Sequence, residues 1–331
     1  MRLLRLVPDD TRIDFVRHRT IAFVVTGLLL AVTVAALLTR GLNLGVDFAG
    51  GTLIEVRADH ALDIGALRVK LAAIGLGDFE LQQFGEGNDL SIRVERKPEA
   101  ESATVAETVR GALGQGFDFR RVETVGPRVG AELLRDGLLA TAFAIVAIAA
   151  YVTTRFEWQY GLAAIIAIFH DVATTVGLYA ALQIEFNLSS VAALLLLAGY
   201  SVNDTIVVFD RIRETVRKRK TGDLRAVINE SVNRTLSRTV MTSGTTLLAV
   251  LPLVVYGGDA LFGFSLALAW GIVVGTYSSI FVAAPLLLYL PSVARAHAPA
   301  AAQAPEWTPP SERPGPSPGA RPIAGESRPQ S

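Results

Sequence analysis

Six stretches of this chain run apolar for about the 20 residues that a 30 Å hydrocarbon core demands at 1.5 Å rise per residue. They cover approximately residues 20–39, 137–154, 159–182, 187–209, 240–256 and 263–290, and each predicts a transmembrane helix. The fifth is interrupted by Pro252 and by the polar run Thr242, Ser243, Thr245 and Thr246. The first exceeds the h-region of a signal peptide and no A-x-A-like cleavage site follows it, so it is read as a retained span. Between the first two spans, residues 40–136 carry a different pattern. Partial alternation at 52–57, 79–84, 90–95 and 117–124 predicts four strands. Helical spacing of Ile64, Leu67, Leu71 and Ile74, and of Val105, Val109 and Leu113, predicts helices at 63–74 and 103–113. The order strand, helix, strand, strand, helix, strand is that of a split-βαβ domain. The expected fold is therefore an α-helical polytopic membrane protein with six transmembrane helices and a small α+β ferredoxin-like periplasmic domain.

Charge sets the expected orientation. Arg2, Arg5, Arg12, Arg17 and Arg19 lie in the segment 1–19, which places the N-terminus in the cytoplasm. Counting spans then puts 210–239, with Arg217, Lys218, Arg219 and Lys220, on the same side as a basic cytoplasmic loop. Residues 40–136 fall outside, because long domains translocate regardless of their charge. The segment 291–331 holds most of the chain's prolines and cannot bury enough apolar surface to offset its ordering, so a disordered cytoplasmic tail is expected.

Composition agrees with a membrane protein, since 51% of the 331 residues are apolar and only 19% charged, against roughly 25% in an average soluble domain. The net charge of zero gives no footing for a nucleic-acid partner. Without cysteine there is neither a disulfide nor a thiolate site, and four scattered histidines point to no metal. No nucleophile–base set is visible, so no enzyme and no cofactor are expected.

Candidate chemistry sits inside the spans. Asp204 lies five residues inside Phe209, roughly 7–8 Å from the membrane edge at helical rise. A carboxylate at a helix centre costs on the order of 2.5–3.5 kcal/mol on insertion scales, somewhat less toward the edge. The functional reading is a proton-accepting site facing the bundle interior, with Tyr200 and Ser201 one turn back to hydrogen-bond it and Asn203 and Thr205 beside it. The bland reading is a structural hydrogen bond tying two helices together. His170 and Asp171 form a second polar pair near the middle of the third span. Adjacent helical positions diverge by about 100°, so one of the two is expected to line the interior. Arg238, ahead of Thr239 and Thr242, reads first as a positive-inside anchor, yet its side chain can extend toward the depth of Asp204. The run Gly45-Val46-Asp47-Phe48-Ala49-Gly50-Gly51-Thr52 suits a tight turn into the first strand. It lacks the G-K-[ST] ending of a phosphate loop, and nucleotide binding is rejected. Gly271 and Gly275 form a small-xxx-small step for close helix packing.

Three blocks, GVDFAGGT at 45–52, VGPRVGAELL at 125–134 and YSVNDTIVVFDRIRE at 200–214, with RTLSRTVMTSGTT at 234–246 as a fourth, make the chain resemble the SecF family. This family supplies membrane subunits of the bacterial Sec export machinery and belongs to the resistance-nodulation-division superfamily. The resemblance covers nearly all of residues 10–290. It implies a SecD partner, the SecYEG channel with the SecA ATPase, YajC as an accessory, a secreted polypeptide as substrate, an inner-membrane location and use of the proton-motive force. It matches the family's intramembrane carboxylate to Asp204 and its arginine at the start of the fifth span to Arg238. The Gly45, Asp47, Phe48, Gly50 and Gly51 motif carries over as structural. Two other readings stay open: half of a proton-driven exporter of lipids or drugs, and a non-transporting scaffold of the translocon.

Overall fold

The computed structural model describes residues 8, 11–76, 79–84, 87–94, 102–219 and 223–290. The tail 291–331, Arg2, Arg5 and Lys220 of the basic flanks, and Glu95 of the expected third strand lie outside the described residues. A 3-10 turn at Val16–His18 opens α1 (Arg19–Thr39), and a single turn, α2 (Val46–Ala49), precedes the α+β domain. That domain comprises β1 (Gly51–Ala58), α3 (Ile64–Ala72), β2 (Phe79–Phe84), β3 (Asp89–Val94), α4 (Ser102–Leu113) and β4 (Phe117–Val125). Long helices follow: α5 (Pro127–Arg155), α6 (Trp158–Leu182), α7 (Leu188–Lys218), α8 (Leu224–Tyr256) and α9 (Gly258–Ser278). A π turn at Ser279–Ala283 and a last short piece, α10 (Ala284–Leu286), prolong α9. Among the described residues six helices are long and apolar enough to cross a membrane.

The sheet order is β2-β3-β1-β4, with every neighbouring pair antiparallel, which is the ferredoxin-like arrangement. Side chains alternate across it with period two. Ile54 and Val56 of β1 face the helices and form a core with Leu71, Leu90, Ile92, Val109 and Leu113. Leu53 and Glu55 face the opposite way, with Ser91, Arg121 and Glu123, into a cleft of about 610 Å³ that residues 182–189 close from the bundle side. Asp63 starts α3 by accepting the Ala66 N–H.

In the bundle, α6, α7 and the α9 region are the enclosed helices, whereas α1, α5 and α8 bury little of their apolar surface. Phe143, Val146 and Tyr151 of α5 and Leu248, Val255 and Tyr256 of α8 are exposed, as side chains facing lipid or another subunit are. Gly271 and Gly275 let α9 approach α7: a Cβ on Gly275 would lie 3.2 Å from the Cβ of Ser201, and one on Gly271 would run into Leu197.

Helix boundaries differ most from the apolar runs in two places. α5 starts ten residues before the expected span, because Pro127 suits a first turn and charged residues such as Arg128 and Glu132 do not interrupt helix. The segment expected as a basic loop, 210–239, is helical except at its centre: α7 runs on to Lys218 and α8 begins at Leu224. Its charge hid an amphipathic pattern, since Ile212, Val227, Ile228 and Val232 turn inward and are fully enclosed. Asp223 caps α8 through the Arg225 N–H, and α8 carries Pro252 in its interior without ending.

The domain is joined to the bundle through the glycine block. Gly50 and Gly51 take φ of 76° and 120°, a region closed to most side chains, and so turn the chain into β1. Asp47 Oδ2 accepts the N–H of Leu188 at 2.9 Å, capping the first turn of α7. Asn187 and Ser190 complete that terminus as a capping box. Gly130 of α5 lies under Phe48, where a Cβ would come within 2.8 Å of the Phe48 carbonyl oxygen. From the sheet, Arg93 reaches Glu185 at 3.1 Å and the Leu44 carbonyl at 3.1 Å.

Candidate intramembrane site

Asp204 points into the bundle from the middle of α7 and is 4% exposed. Its Oδ2 accepts a hydrogen bond from Ser243 Oγ of α8 at 3.3 Å. Ser243 Oγ is itself 2.6 Å from Thr276 Oγ1 of α9 and receives the Tyr200 hydroxyl at 3.5 Å. Three helices thus meet on one hydroxyl. Ser243 has a single proton, so when it donates to Asp204 it can only accept from Thr276, whose own proton otherwise goes to the Ile272 carbonyl at 2.7 Å. The carboxylate is left with one long hydrogen bond and no cation in contact.

A second carboxylate lies nearby on α6. Asp171 is fully enclosed; its Oδ2 accepts from Ser201 Oγ at 2.5 Å and from Ser278 Oγ at 2.7 Å, and its Oδ1 lies 2.9 Å from His170 Nδ1. Both members of the His170–Asp171 pair are therefore interior, where only one was expected. The reason is that α6 packs against α1, α7 and α9 together, so most of its circumference is interior. His170 Nε2 is buried and makes no hydrogen bond among the described residues.

The other predicted residues divide. Ser201 belongs to Asp171 and not to Asp204, because its side chain faces α6 and α9, where Asp171 and Ser278 converge. Tyr200 touches the site only through Ser243. Thr205 is buried but bonds back to the Ser201 carbonyl at 3.3 Å, and Thr242 bonds back to Arg238 and Thr239 of its own helix. Asn203 is exposed on the outer face of α7. Arg238 is exposed too and forms no ion pair within 4.0 Å of Asp204. The Gly45 to Gly51 motif stands at the far end of α7, at the domain junction. Ser243 was read only as one of the polar run in the fifth span, and Thr276 and Ser278 were not singled out from the sequence. Hydroxyl side chains at 276 and 278 inside an otherwise apolar run were the available signal. Among the described residues no group of three acidic, histidine or cysteine side chains could hold a metal.

Residues 35–61 match the SecD/SecF GG motif, and residues 105–293 match the C-terminal region of the protein export membrane proteins SecD/SecF. Similar proteins include the SecF translocase subunits of Rickettsia rickettsii, 42% identical over 86% of this chain and 94% of the relative, and of Cereibacter sphaeroides, 44% identical over 87% and 92%. The chain belongs to the SecF family. All four sequence blocks fall inside the two SecD/SecF segments. The fold is similar to the crystal structure of SecDF, a translocon-associated membrane protein from Thermus thermophilus, at a TM-score of 0.78 and 37% identity over 85% of this chain. A super-membrane-facing form of SecDF matches at a TM-score of 0.62 and 36% identity over 86% of this chain. This chain spans 39% of the length of each SecDF chain. Six apolar helices and SecF relatives together make it a multi-pass membrane protein.

Proposed function

We propose that this SecF-family chain works with a SecD-type subunit in the bacterial inner membrane, with both termini cytoplasmic, to promote export of polypeptides through the SecYEG channel driven by SecA, with YajC as an accessory. Its energy source is the proton-motive force, and it performs no covalent chemistry of its own. The observation that carries this reading is Asp204: a carboxylate enclosed by three helices, held by one long hydrogen bond from Ser243 and with no cation in contact. Proton uptake removes its charge, and proton loss restores a charge that Arg238 can approach from the adjoining turn of α8. The change of pairing shifts α7 against α8 and α9. Since Asp47 caps α7, that shift is delivered to the α+β domain. One proton crossing 100 mV supplies about 2.3 kcal/mol, and moving an equilibrium from 1:99 to 99:1 takes about 5.5 kcal/mol, so about three protons per stroke are sufficient at that potential. Asn203, polar and outward in the middle of the span, marks a face of α7 that a second subunit covers.

The test is export of a secreted protein into inverted membrane vesicles carrying the chain with its SecD-type partner. Asp204→Asn is expected to leave assembly intact and abolish the part of export that depends on the proton gradient. Full gradient-dependent export by that variant would leave the chain as a scaffold and Asp204 as a tie between helices.

A further inference from the structure

Four hydroxyl residues of α8 recur at every fourth position on the face turned toward α7: Ser231, Thr235, Thr239 and Ser243, each buried. The ends of this row are fixed by contacts to α7, Ser243 to Asp204 at 3.3 Å and Ser231 to the Thr215 hydroxyl at 3.2 Å. The two contacts set α7 and α8 antiparallel, so Thr235 and Thr239 fall between them along the same seam. Successive members are one helical turn apart, about 6 Å in rise, a distance that one water molecule bridges.

Three of the four, Ser231, Thr239 and Ser243, are distinguished by where their protons go. Threonines in helices usually donate to the carbonyl three or four residues back, and Thr235, Thr242, Thr245 and Thr246 of α8 do so. Thr239 does not. It is 1% exposed, and its Oγ1 makes no hydrogen bond among the described residues. Leaving a buried hydroxyl unpaired costs on the order of 1–3 kcal/mol, and a bond to its own helix is the ordinary way to avoid that. A hydroxyl kept free one turn from Ser243 is available to pass protons.

We propose that Asp204 exchanges its proton with bulk water along this row, through Ser243, Thr239 and Thr235 to the Ser231–Thr215 pair near the joined ends of α7 and α8. The proposal rests on the reading of Asp204 as the proton carrier. Each hydroxyl gives one proton forward and receives one from behind, with intervening waters doing the same. After one transfer only Asp204 has changed charge, and one proton has entered or left bulk water.

The experiment measures gradient-driven proton flux and gradient-dependent export in the same vesicles for Thr239→Val, Thr239→Ser and Asp204→Asn, with assembly of each variant checked. Valine keeps the shape and removes the hydroxyl. Flux in T239V is expected to fall about tenfold, the rate equivalent of one lost hydrogen bond, while T239S stays within about twofold of the parent. Equal loss in T239V and T239S would assign the effect to packing and overturn the proposal, as would parental flux in T239V. If valine prevents assembly, Thr239→Ala takes its place under the same criteria. Asp204→Asn separates the two levels. Flux abolished in D204N but intact in T239V removes the row and spares Asp204, whereas flux retained in D204N removes the proton-carrier reading itself.

Discussion

At the scale of single residues, the partner of a buried charge decides its behaviour. Asp89 at the end of β3 receives two bonds from the Arg57 guanidinium, at 2.6 and 2.7 Å, and these hold its carboxyl below the usual carboxylate range. A carboxyl whose value is lowered by folding contributes stability above its unfolded value and loses it as pH falls through the lowered one. Asp89→Asn should therefore lower the melting temperature of the purified protein at pH 7, and the gap from the parent should close as the pH is taken down through that range. A constant gap at all pH values would assign Asp89 a role independent of its charge. The intramembrane site was legible in part at this scale. Asp204 announces itself because a carboxylate within an apolar run has few innocent explanations. Ser243 does not, because a serine within a polar run of threonines does not say which neighbour it meets, and only the packing of α8 against α7 and α9 brings it to Asp204. The direction of Ser201 was likewise hidden until Asp171 and Ser278 were seen to converge on it.

Elements were easier to read where one face had to be buried. The four strands and two helices of the domain fall within two residues of expectation, since period-two and helical spacing are both forced by a single shared core. The ends of α5, α7 and α8 were not, because apolar run length reports the thickness of the membrane and not the length of the helix. Helix ends are set by caps instead, and one acceptor at the start of α7, the Asp47 carboxylate, is supplied from outside the bundle beside the helix's own Asn187–Ser190 capping box. Asp47→Ala removes the acceptor for the Leu188 N–H and should cost about 1 kcal/mol of stability, whereas Asp47→Asn keeps an oxygen there and should cost less. Thermal unfolding of the two variants beside the parent checks the order. The same pair tests transmission: Asp47→Ala should reduce gradient-dependent export while leaving proton flux intact, since the loss lies beyond Asp204.

For the whole molecule, the connection between domain and bundle is narrow. Arg93 is its main polar tie, bonding Glu185, the Asn43 side chain and the Leu44 carbonyl at once. Arg93→Ala should raise amide hydrogen exchange severalfold across 43–50 and 184–188 and leave the amides of α6 and α7 protected. Unchanged exchange in those two segments would mean that the glycine junction alone holds the domain.

The 31 residues of α7 make a rod of roughly 46 Å, longer than the hydrocarbon core it crosses. It is gripped at one end by Asp47 and at the other by Ser231, and Asp204 lies near its middle. Under the proposed proton coupling, such a rod acts as a rocker with its fulcrum at the charge. A turn of about 5° carries each end roughly 2 Å in opposite directions, given helical rise along that length. Under the same proposed coupling, a charge event buried in the membrane would reach both of its surfaces through one helix, with no relay through loops.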